Sequence, residues 1–573
     1  MSKIVPLSIA IEKFIEPRDT VLAAYTNARP NAALMQLARS FAGKDAELTL
    51  VTAGMVSVQH ALVELGIVTK VIASFVGENY PMARPNKAFQ RAVAQGRVEV
   101  ENWSMWALIA RLVAGGLGVG HFPVKSIAGS SMEADLASSF TTMPDPFTGE
   151  PVGVVSALNP DVTIVHAVAA DEDGNLVLSA PYGEAQWGAL AARRGVVATV
   201  ERVVAREDII ANNTLVKVPG HLVRSVSVAP FGSHPYGLLA PTGTGVPDYI
   251  DDGRFMADVL TASRTAESFS TWIDEWVRGV SSHDDYLAKV GSSRLDELVE
   301  SARPGQWAEG LDEPWGGPPT PIERQILAAA RQIDCRVGSE GFDAILSGVG
   351  QANLASWVAA DAIKASGRDV ELMAEIGMYG YSPRPGEPFI FSHRNLPTST
   401  VLTDVMTVLG AYVSGPSTRT LGVLGAGEVD QAGNTNSTVT ADGSFLVGSG
   451  GANDIASGAN EILLTVAHER LVDAVAYITS PGTQVQSIVS SLGVFERVGS
   501  SWQLIRYIAE EPCSLEEAVA AMRAASPWKF EVSETATLEP RPTPAQLALL
   551  RGFDPEKVFL KDSPEIVISD AAS

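Results

Sequence analysis

The sequence has few cysteines and no long apolar run, and each shortage excludes a class of protein. Cys335 and Cys513 are the only cysteines in 573 residues, and they are too far apart to suggest a disulfide framework or a zinc site. We expect no bound metal and a reducing, cytoplasmic compartment. No uncharged apolar stretch of about eighteen residues occurs, and the amino terminus lacks the pattern of a secretory signal. We therefore expect no association with a membrane.

The sequence is also short of positive charge. Lys and Arg total 42 against 66 Asp and Glu, which gives a formal net charge of −24. Binding to a phosphate backbone requires clustered cations, so we expect no nucleic-acid partner. Hydrophobic residues nevertheless make up 46% of the chain, enough for several cores. This composition is typical of a folded enzyme, and the length predicts two to four domains.

Strand-like apolar runs alternate with helix-like amphipathic runs, and this order occurs twice. Residues 19–24, 31–41 and 47–51 read as strand, helix and strand. The same order returns late in the chain, ending in the strand-like run 370–374. Such alternation predicts an α/β fold of two related open-sheet domains, with mostly parallel sheets flanked by helices.

The boundary between the two halves is marked by helix breakers. Residues 302–321 are rich in proline and glycine and predict a linker, after which Pro321-Ile322-Glu323 opens a helix. We assign residues 1–300 to the first domain, 301–322 to the linker and 323–573 to the second domain. A repeated turn supports the duplication, since Asp-x-x-Gly-Asn occurs at residues 171–175 and 430–434.

A glutamate at the end of a buried strand is the first candidate site residue. Glu375 follows the apolar run 370–374 and precedes Gly377, and period-two alternation puts it on one face with Glu371 and Met373. Carboxylates rarely occur in such a position unless they are paired or functional. From this context alone, a structural carboxylate and a nucleophile remain open alternatives.

Two glycine loops follow this glutamate along the chain. Gly425 and Gly427 belong to Gly-Ala-Gly-Glu-Val-Asp, and Gly450 and Gly451 belong to Gly-Ser-Gly-Gly-Ala-Asn-Asp. The second loop precedes a helix-like run that begins near Ile455, an arrangement that directs N–H groups at an anion. Without a glutamate upstream, either loop would read as an ordinary turn between a strand and a helix.

The order and spacing of these segments resemble the second half of family I coenzyme A transferases, particularly the glutaconate and 3-oxoacid branches. Residues 375–380, Glu-Ile-Gly-Met-Tyr-Gly, occupy the place of that family's nucleophile segment. In the first half, residues 115–123 and 283–287 are similar to segments of the family's α-type half. The resemblance covers nearly the whole chain.

The resemblance implies a function and a set of site residues. Glu375 would be the catalytic nucleophile, and the oxyanion and CoA contacts would come from Gly377, Gly425, Gly427, Gly450 and Gly451. The substrates would be a coenzyme A thioester and a small carboxylic acid, with no permanently bound cofactor. The α-like and β-like halves would be fused in one chain, with the active site in the cleft between them, and the chain would form a homodimer or homotetramer.

One segment departs from that family's pattern. Many α-type halves have a glycine-rich loop after the first strand, whereas this chain has Ala-Tyr-Thr-Asn-Ala-Arg-Pro-Asn at residues 24–31. Without glycine, the backbone approaches a ligand less closely. We expect the side chains of Tyr25, Thr26 or Asn27 to contact the ligand instead.

Three other functions remain as alternatives. The same superfamily includes CoA-thioester and ring-opening hydrolases, which as a class lack the nucleophile context that this chain retains at Glu375. It also includes transferases that load an acyl carrier protein. An acyl-CoA sensor is the least favoured, because a binding module does not need a glutamate opposite glycine loops. The common nucleotide-binding, zinc-protease and serine-hydrolase motifs are absent from the sequence.

Overall fold

The computed structural model describes residues 2–25, 27–308, 311, 314–511 and 513–561. Thr26, which the sequence analysis groups with Tyr25 and Asn27, lies outside the described residues. The same holds for residues 1, 309–310, 312–313, 512 and 562–573, which belong to the predicted domains and linker.

The first half forms a large, mostly parallel sheet with helices packed around it. Its strands are β1 (Thr20–Ala23), β2 (Leu48–Val56), β3 (Val68–Gly77), β4 (Glu99–Asn102), β5 (His121–Val124), β6 (Phe140–Pro144), β7 (Pro151–Ser156), β8 (Val162–Ala170), β9 (Leu176–Val177), β10 (Val196–Val203), β11 (Val216–Val218) and β12 (Val223–Val228). Its helices are α1 (Leu7–Phe14), α2 (Asn31–Phe41), α3 (His60–Glu64), α4 (Lys87–Ala94), α5 (Met105–Leu117), α6 (Met132–Asp135), α7 (Ala185–Ala191), α8 (Arg206–Ala211), α9 (Gly253–Ala262), α10 (Ala266–Ile273), α11 (His283–Val290) and α12 (Ser292–Ala302). The strand order is β11-β9-β8-β1-β2-β3-β4, with β10 pairing with both β8 and β12, while β5, β7 and β6 form a separate antiparallel sheet.

The second half forms a second large sheet. Its strands are β13 (Ala344–Ser347), β14 (Glu371–Ala374), β15 (Met378–Tyr379), β16 (Val401–Leu402), β17 (Thr420–Gly425), β18 (Glu428–Val429), β19 (Thr435–Asn436), β20 (Glu461–Val466), β21 (Val485–Ser490), β22 (Gly493–Val498), β23 (Ser501–Tyr507) and β24 (Glu531–Leu538). Its helices are α13 (Pro321–Glu340), α14 (Gln351–Ala365), α15 (Ala452–Gly458), α16 (Leu515–Ala525) and α17 (Pro544–Phe553), and a π-helical segment spans Met406–Val413. The strand order is β16-β15-β14-β13-β17-β20-β21-β22-β23-β24, and the central strands β14, β13, β17, β20 and β21 are parallel.

The predicted fold class is confirmed, because both sheets are mainly parallel and are flanked by helices. The helix expected over residues 31–41 is α2 with the same bounds. The helix expected after the linker is α13, which begins at Pro321 with a capping box between Thr320 and Glu323.

The turn repeated in the two halves also has one conformation. In each copy the asparagine N–H donates to the aspartate Oδ1, at 2.9 Å from Asn175 to Asp171 and at 3.0 Å from Asn434 to Asp430. The glycine between them has a φ of +87° in the first turn and +86° in the second, a region that favours glycine. The sequence repeat therefore corresponds to a repeated local structure.

The largest of several apolar clusters contains residues of both halves. A Cβ added at Gly410 would lie 2.9 Å from the indole ring of Trp106, which belongs to α5 of the first half. The backbone also joins the halves, since the N–H of Val76 at the end of β3 donates to the carbonyl of Val447 at 2.9 Å. The two halves are thus held together by packing and by hydrogen bonds.

Candidate active site

Glu375 occupies the tight turn that joins strands β14 and β15. The two strands pair as a short antiparallel hairpin, with Ala374 opposite Met378. Glu375 is half-buried, and Gly377 completes the turn with a φ of +123°. The N–H of Gly377 donates to the carbonyl of Ala374 at 3.1 Å, which closes the turn. This N–H group is therefore already used in a hydrogen bond within the turn.

The turn requires glycine at position 377 because another backbone segment passes close to it. A Cβ there would overlap the carbonyl oxygen of Thr403. Thr403 donates its N–H to the carbonyl of Gly377 at 2.7 Å and accepts a hydrogen bond of 2.7 Å from the N–H of Tyr182. Thr403 thus links Tyr182 of the first half to the turn that bears Glu375.

The second glycine loop packs directly against Glu375. A Cβ added at Gly451 would lie 3.5 Å from both the Cβ and the Cγ of Glu375. Gly450 instead joins the halves, because its N–H donates to the carbonyl of Ser74 at 2.8 Å and its carbonyl accepts from the N–H of Met105 at 2.9 Å. The N–H of Gly451 donates no hydrogen bond within the part of the chain that the structure describes.

The last two residues of this loop bind it to the first half by hydrogen bonds. Asp454 Oδ1 accepts a hydrogen bond of 2.5 Å from Ser126 Oγ, and its Oδ2 accepts one of 2.9 Å from the N–H of Trp106. The neighbouring Asn453 accepts from the N–H of Ile127 at 2.8 Å. Sequence reasoning assigned neither residue a role. The helix containing them, α15, begins at Ala452, three residues before the predicted start.

Burial dominates the electrostatics of this site. Together with a smaller contribution from the negative charge of Asp454, it raises the pKa of Glu375 to about 7. Burial also raises the pKa of Asp454 to about 6, although hydrogen bonds from the first half oppose the shift. Above neutral pH, Glu375 is a carboxylate with little solvation, which makes it a stronger nucleophile than the same group in water.

Two tyrosines lie close enough to respond to the charge of Glu375. Burial raises the pKa of Tyr25 at the end of β1, and the charge of Glu375 adds to that shift. Burial likewise raises the pKa of Tyr381, whose hydroxyl accepts a hydrogen bond of 2.9 Å from Trp357 Nε1. Asn27, also named from the sequence, donates its N–H to the carbonyl of Pro181 at 3.1 Å.

The first glycine loop lies farther along the same sheet edge. Gly425 ends β17, which is separated from β14 by β13 alone, or roughly 10 Å at the usual spacing of strands. It is exposed, and a Cβ there would have only the carbonyl of Thr465 nearby, at 4.0 Å. Gly427 lines a pocket of about 280 Å³ together with Glu428 and Asp442. The structure therefore brings the loop of Gly450 and Gly451 to Glu375 through Gly451, and it places Gly425 two strands away.

Other site classes find no support in the described structure. Within residues 2–25, 27–308, 311, 314–511 and 513–561, no group of three or more His, Cys, Asp or Glu could hold a metal ion. In the same ranges, no helix is both long and apolar enough to cross a membrane.

Arg384 and Arg394 both contact Trp307. The Arg384 guanidinium lies 4.7 Å from the ring of Trp307, and Arg394 Nη1 donates to the carbonyl of Trp307 at 3.0 Å.

Comparison with known proteins agrees with this fold. The family model for coenzyme A transferase matches residues 6–229. One of the two 3-oxoadipate CoA-transferase chains of Pseudomonas knackmussii is 30% identical over 301 residues, which cover 51% of this chain and 100% of that protein. One chain of the glutaconate CoA-transferase of Acidaminococcus fermentans is 28% identical over 325 residues, covering 52% of this chain and 95% of that protein.

The fold similarity extends over most of the chain. The crystal structure of an acyl-CoA transferase apoenzyme from Escherichia coli O157:H7 superimposes with a TM-score of 0.67 at 15% identity, covering 94% of this chain and 95% of that chain. The fold and the relatives together define a coenzyme A transferase. The chain belongs to the coenzyme A transferase family, and it is an enzyme.

Proposed function

We propose that this coenzyme A transferase moves CoA from an acyl-CoA to a carboxylic acid through covalent intermediates on Glu375. The observation that carries the proposal is the contact between Glu375 and Gly451, in which a poorly solvated carboxylate lies beside an unused N–H group. This pairing supplies both a nucleophile and a donor for a developing oxyanion.

The proposed reaction has two symmetrical halves. The Glu375 carboxylate attacks the thioester carbonyl carbon, the carbon–sulfur bond breaks, and an acyl-glutamyl anhydride forms while CoA leaves as a thiolate. The thiolate then attacks the glutamyl carbonyl and releases the first acid as a carboxylate, which leaves a glutamyl-CoA thioester. A second carboxylic acid reverses these steps and departs as the new acyl-CoA.

The glycines have different parts in this proposal. The N–H of Gly451 stabilises the tetrahedral oxyanions, because it is free and adjacent to Glu375. Gly377 and Gly450 keep their neighbours in position, since their N–H groups already donate to Ala374 and Ser74. Gly425 and Gly427 form the CoA-facing wall farther along the sheet edge.

Several wider expectations accompany this function. The two sheets correspond to an α-like and a β-like half fused in one chain, with CoA held in the cleft between them. We expect no permanently bound cofactor, a cytoplasmic location, and a homodimer or homotetramer that sedimentation analysis would detect.

Intact-mass measurement of the protein mixed with an acyl-CoA tests the mechanism. We expect a covalent CoA adduct that maps to Glu375, and no adduct on Glu375→Gln. Glu371→Gln is the matched control, because Glu371 lies on the same strand and should leave adduct formation intact. An unmodified wild-type chain under turnover would contradict the proposal.

The same preparation separates transfer from the alternative reactions. Product formation that depends on an added carboxylic acid supports transfer between acids. Product formation in water alone indicates a hydrolase, and transfer only to an acyl carrier protein indicates a carrier-loading enzyme.

A further inference from the structure

The π-helical segment Met406–Val413 packs beside the proposed nucleophile. Its Leu409 is fully buried, at 0% exposure. The point that a Cβ on Gly451 would occupy lies 3.6 Å from Leu409 Cδ1 and 3.5 Å from Glu375 Cγ. These are ordinary van der Waals distances, so the leucine and the glutamate border the same small space, which has room for a methyl group.

Hydrogen bonds at both ends of the segment fix the backbone that carries Leu409. The N–H and the hydroxyl of Ser414 both donate to the carbonyl of Leu409, at 3.2 and 2.8 Å. The bond from the N–H spans five residues, which is the pattern that defines a π-helix. At the start of the segment, the N–H and the hydroxyl of Thr407 donate to Asp404 Oδ1 at 2.9 and 2.7 Å.

Two helices also pack tightly against this segment. A Cβ at Gly410 would lie 2.9 Å from the ring of Trp106 on α5, and a Cβ at Gly458 on α15 would lie 2.5 Å from Ser414 Oγ. Both positions therefore require glycine for the helices to approach so closely. The close packing leaves Leu409 little freedom to move away from Glu375. Single π-helical turns of this kind occur frequently at functional sites.

Water competes with the acid substrate in the proposed reaction. The acyl-glutamyl anhydride and the glutamyl-CoA thioester are both reactive acyl groups, and a closed site protects such groups from hydrolysis. When water attacks the glutamyl carbonyl carbon of the thioester, the carbon–sulfur bond breaks and CoA leaves as a thiolate. Glu375 returns as a carboxylate with one oxygen from water, and the protons of that water pass to solvent. The thioester is then lost without transfer.

We propose that Leu409 excludes water from the covalent intermediates on Glu375 and so selects the acid over water as the acceptor. The inference rests on the proposed function and identifies a specificity-determining residue of the same site. The leucine side chain has no polar atom, so it fills space beside Glu375 without offering water a hydrogen bond. Glu375 is only half-buried, which leaves the acid a path to it.

The fate of the isolated adduct tests the inference. The donor would be the best of acetyl-, butyryl-, succinyl- and benzoyl-CoA, and the acceptor would be the best of the corresponding acids. The glutamyl-CoA thioester would be freed of small molecules by gel filtration and divided between buffer alone and buffer with the acid. The rate of free CoA release in buffer, divided by the rate of acyl-CoA formation with acid, does not depend on the fraction of active protein.

Variants at two neighbouring positions separate water exclusion from folding. Leu409→Ala should raise this ratio at least about tenfold, because it removes most of the side chain beside Glu375. Leu409→Met keeps the apolar volume and should stay within about threefold of wild type. Val408→Ala is the matched control, since Val408 is equally buried but consecutive helical residues point to different sides. It should also stay within about threefold of wild type.

Heavy-oxygen water locates the hydrolysis. Water that attacks the glutamyl carbonyl leaves a heavy oxygen on Glu375, which peptide mass spectrometry detects. The label should accumulate faster on Leu409→Ala than on wild type or Val408→Ala. Leu409→Val truncates the side chain less and should give intermediate labelling, so it tests the inference even if Leu409→Ala does not fold.

Several results would overturn the inference, and they can be told apart. An unchanged ratio in Leu409→Ala or Leu409→Val would mean that Leu409 does not exclude water, while CoA transfer through Glu375 would stand. An equal rise in Val408→Ala would assign the effect to loosening of the whole segment. Faster CoA release from Leu409→Ala without label on Glu375 would place the attack of water elsewhere. Failure of every donor to form an adduct on wild type would remove the proposed function and the inference with it.

Discussion

Asp454 in the second half accepts a hydrogen bond of 2.5 Å from the hydroxyl of Ser126 in the first half. The same carboxylate accepts from the N–H of Trp106, and its negative charge raises the pKa of Glu375. A residue that joins the two halves therefore also contributes to the electrostatic environment of the proposed nucleophile.

Replacing Asp454 by Asn should change the pH dependence of catalysis. The substitution removes a negative charge near Glu375, so the pKa of Glu375 falls and its carboxylate persists to lower pH. We expect the acidic limb of kcat/KM against pH to move to lower pH. The exposed Asp473→Asn controls for the loss of one charge elsewhere, and an unmoved limb in Asp454→Asn would refute the coupling.

Replacing Ser126 by Ala should destabilise the protein. It should move the acidic limb of the kcat/KM profile less than Asp454→Asn does. The variant leaves a buried carboxylate oxygen without its hydroxyl donor, a loss of about 1–3 kcal/mol. Thermal unfolding should show a lower midpoint than wild type. The control Ser138→Ala, at an exposed serine, should have the wild-type unfolding midpoint. A Ser126→Ala midpoint equal to that of this control would argue against the hydrogen bond.

Local sequence patterns predicted several elements of the fold, including the strand that leads to Glu375. Helix α2 appeared with its observed bounds because the apolar period of a helix is a short-range signal. The turn at Asp430 was recognisable because aspartate, glycine and asparagine each have a defined part in it. The strand leading to Glu375 was likewise visible as an apolar run that ends at a glycine turn.

Such local patterns could not predict the contacts between the two halves. Ser126 and Asp454 are 328 residues apart, and no periodicity links them. The occupied N–H of Gly450 could not be foreseen either, because its acceptor, the carbonyl of Ser74, belongs to the other sheet. Sequence reasoning thus identified glycines near the site but not which of their N–H groups remain free.

Gly377 should tolerate alanine much less well than Gly450, although both have positive φ. A Cβ at Gly377 would overlap the backbone of Thr403, whereas a Cβ at Gly450 would have nothing within 4 Å. Gly450→Ala should therefore cost about 1–2 kcal/mol from its conformation alone. Gly377→Ala should cost roughly 3 kcal/mol or more and abolish the Glu375 adduct. Similar unfolding midpoints for the two variants would contradict this difference.

Glu184 should make the stability of the protein depend on pH, because its carboxyl is fully buried. Oε1 accepts from the N–H of Tyr25 at 2.8 Å, whereas Oε2 has no partner among the described residues. Burial raises the pKa from 4.5 to about 8. Between these values the folded chain holds a proton that the unfolded chain releases, so this contribution to stability is present at low pH and is lost as the pH rises.

Glu184→Gln isolates that contribution, because glutamine keeps the acceptor for Tyr25 and cannot ionise. Other buried acids titrate equally in both proteins, so the difference in unfolding midpoint reports on Glu184. Near pH 5 the two midpoints should be close, and near pH 8 the variant should unfold several degrees higher. The exposed Glu172→Gln controls for the loss of a surface charge. A difference that stays constant with pH would mean that the Glu184 carboxyl is already ionised in the folded protein across this range.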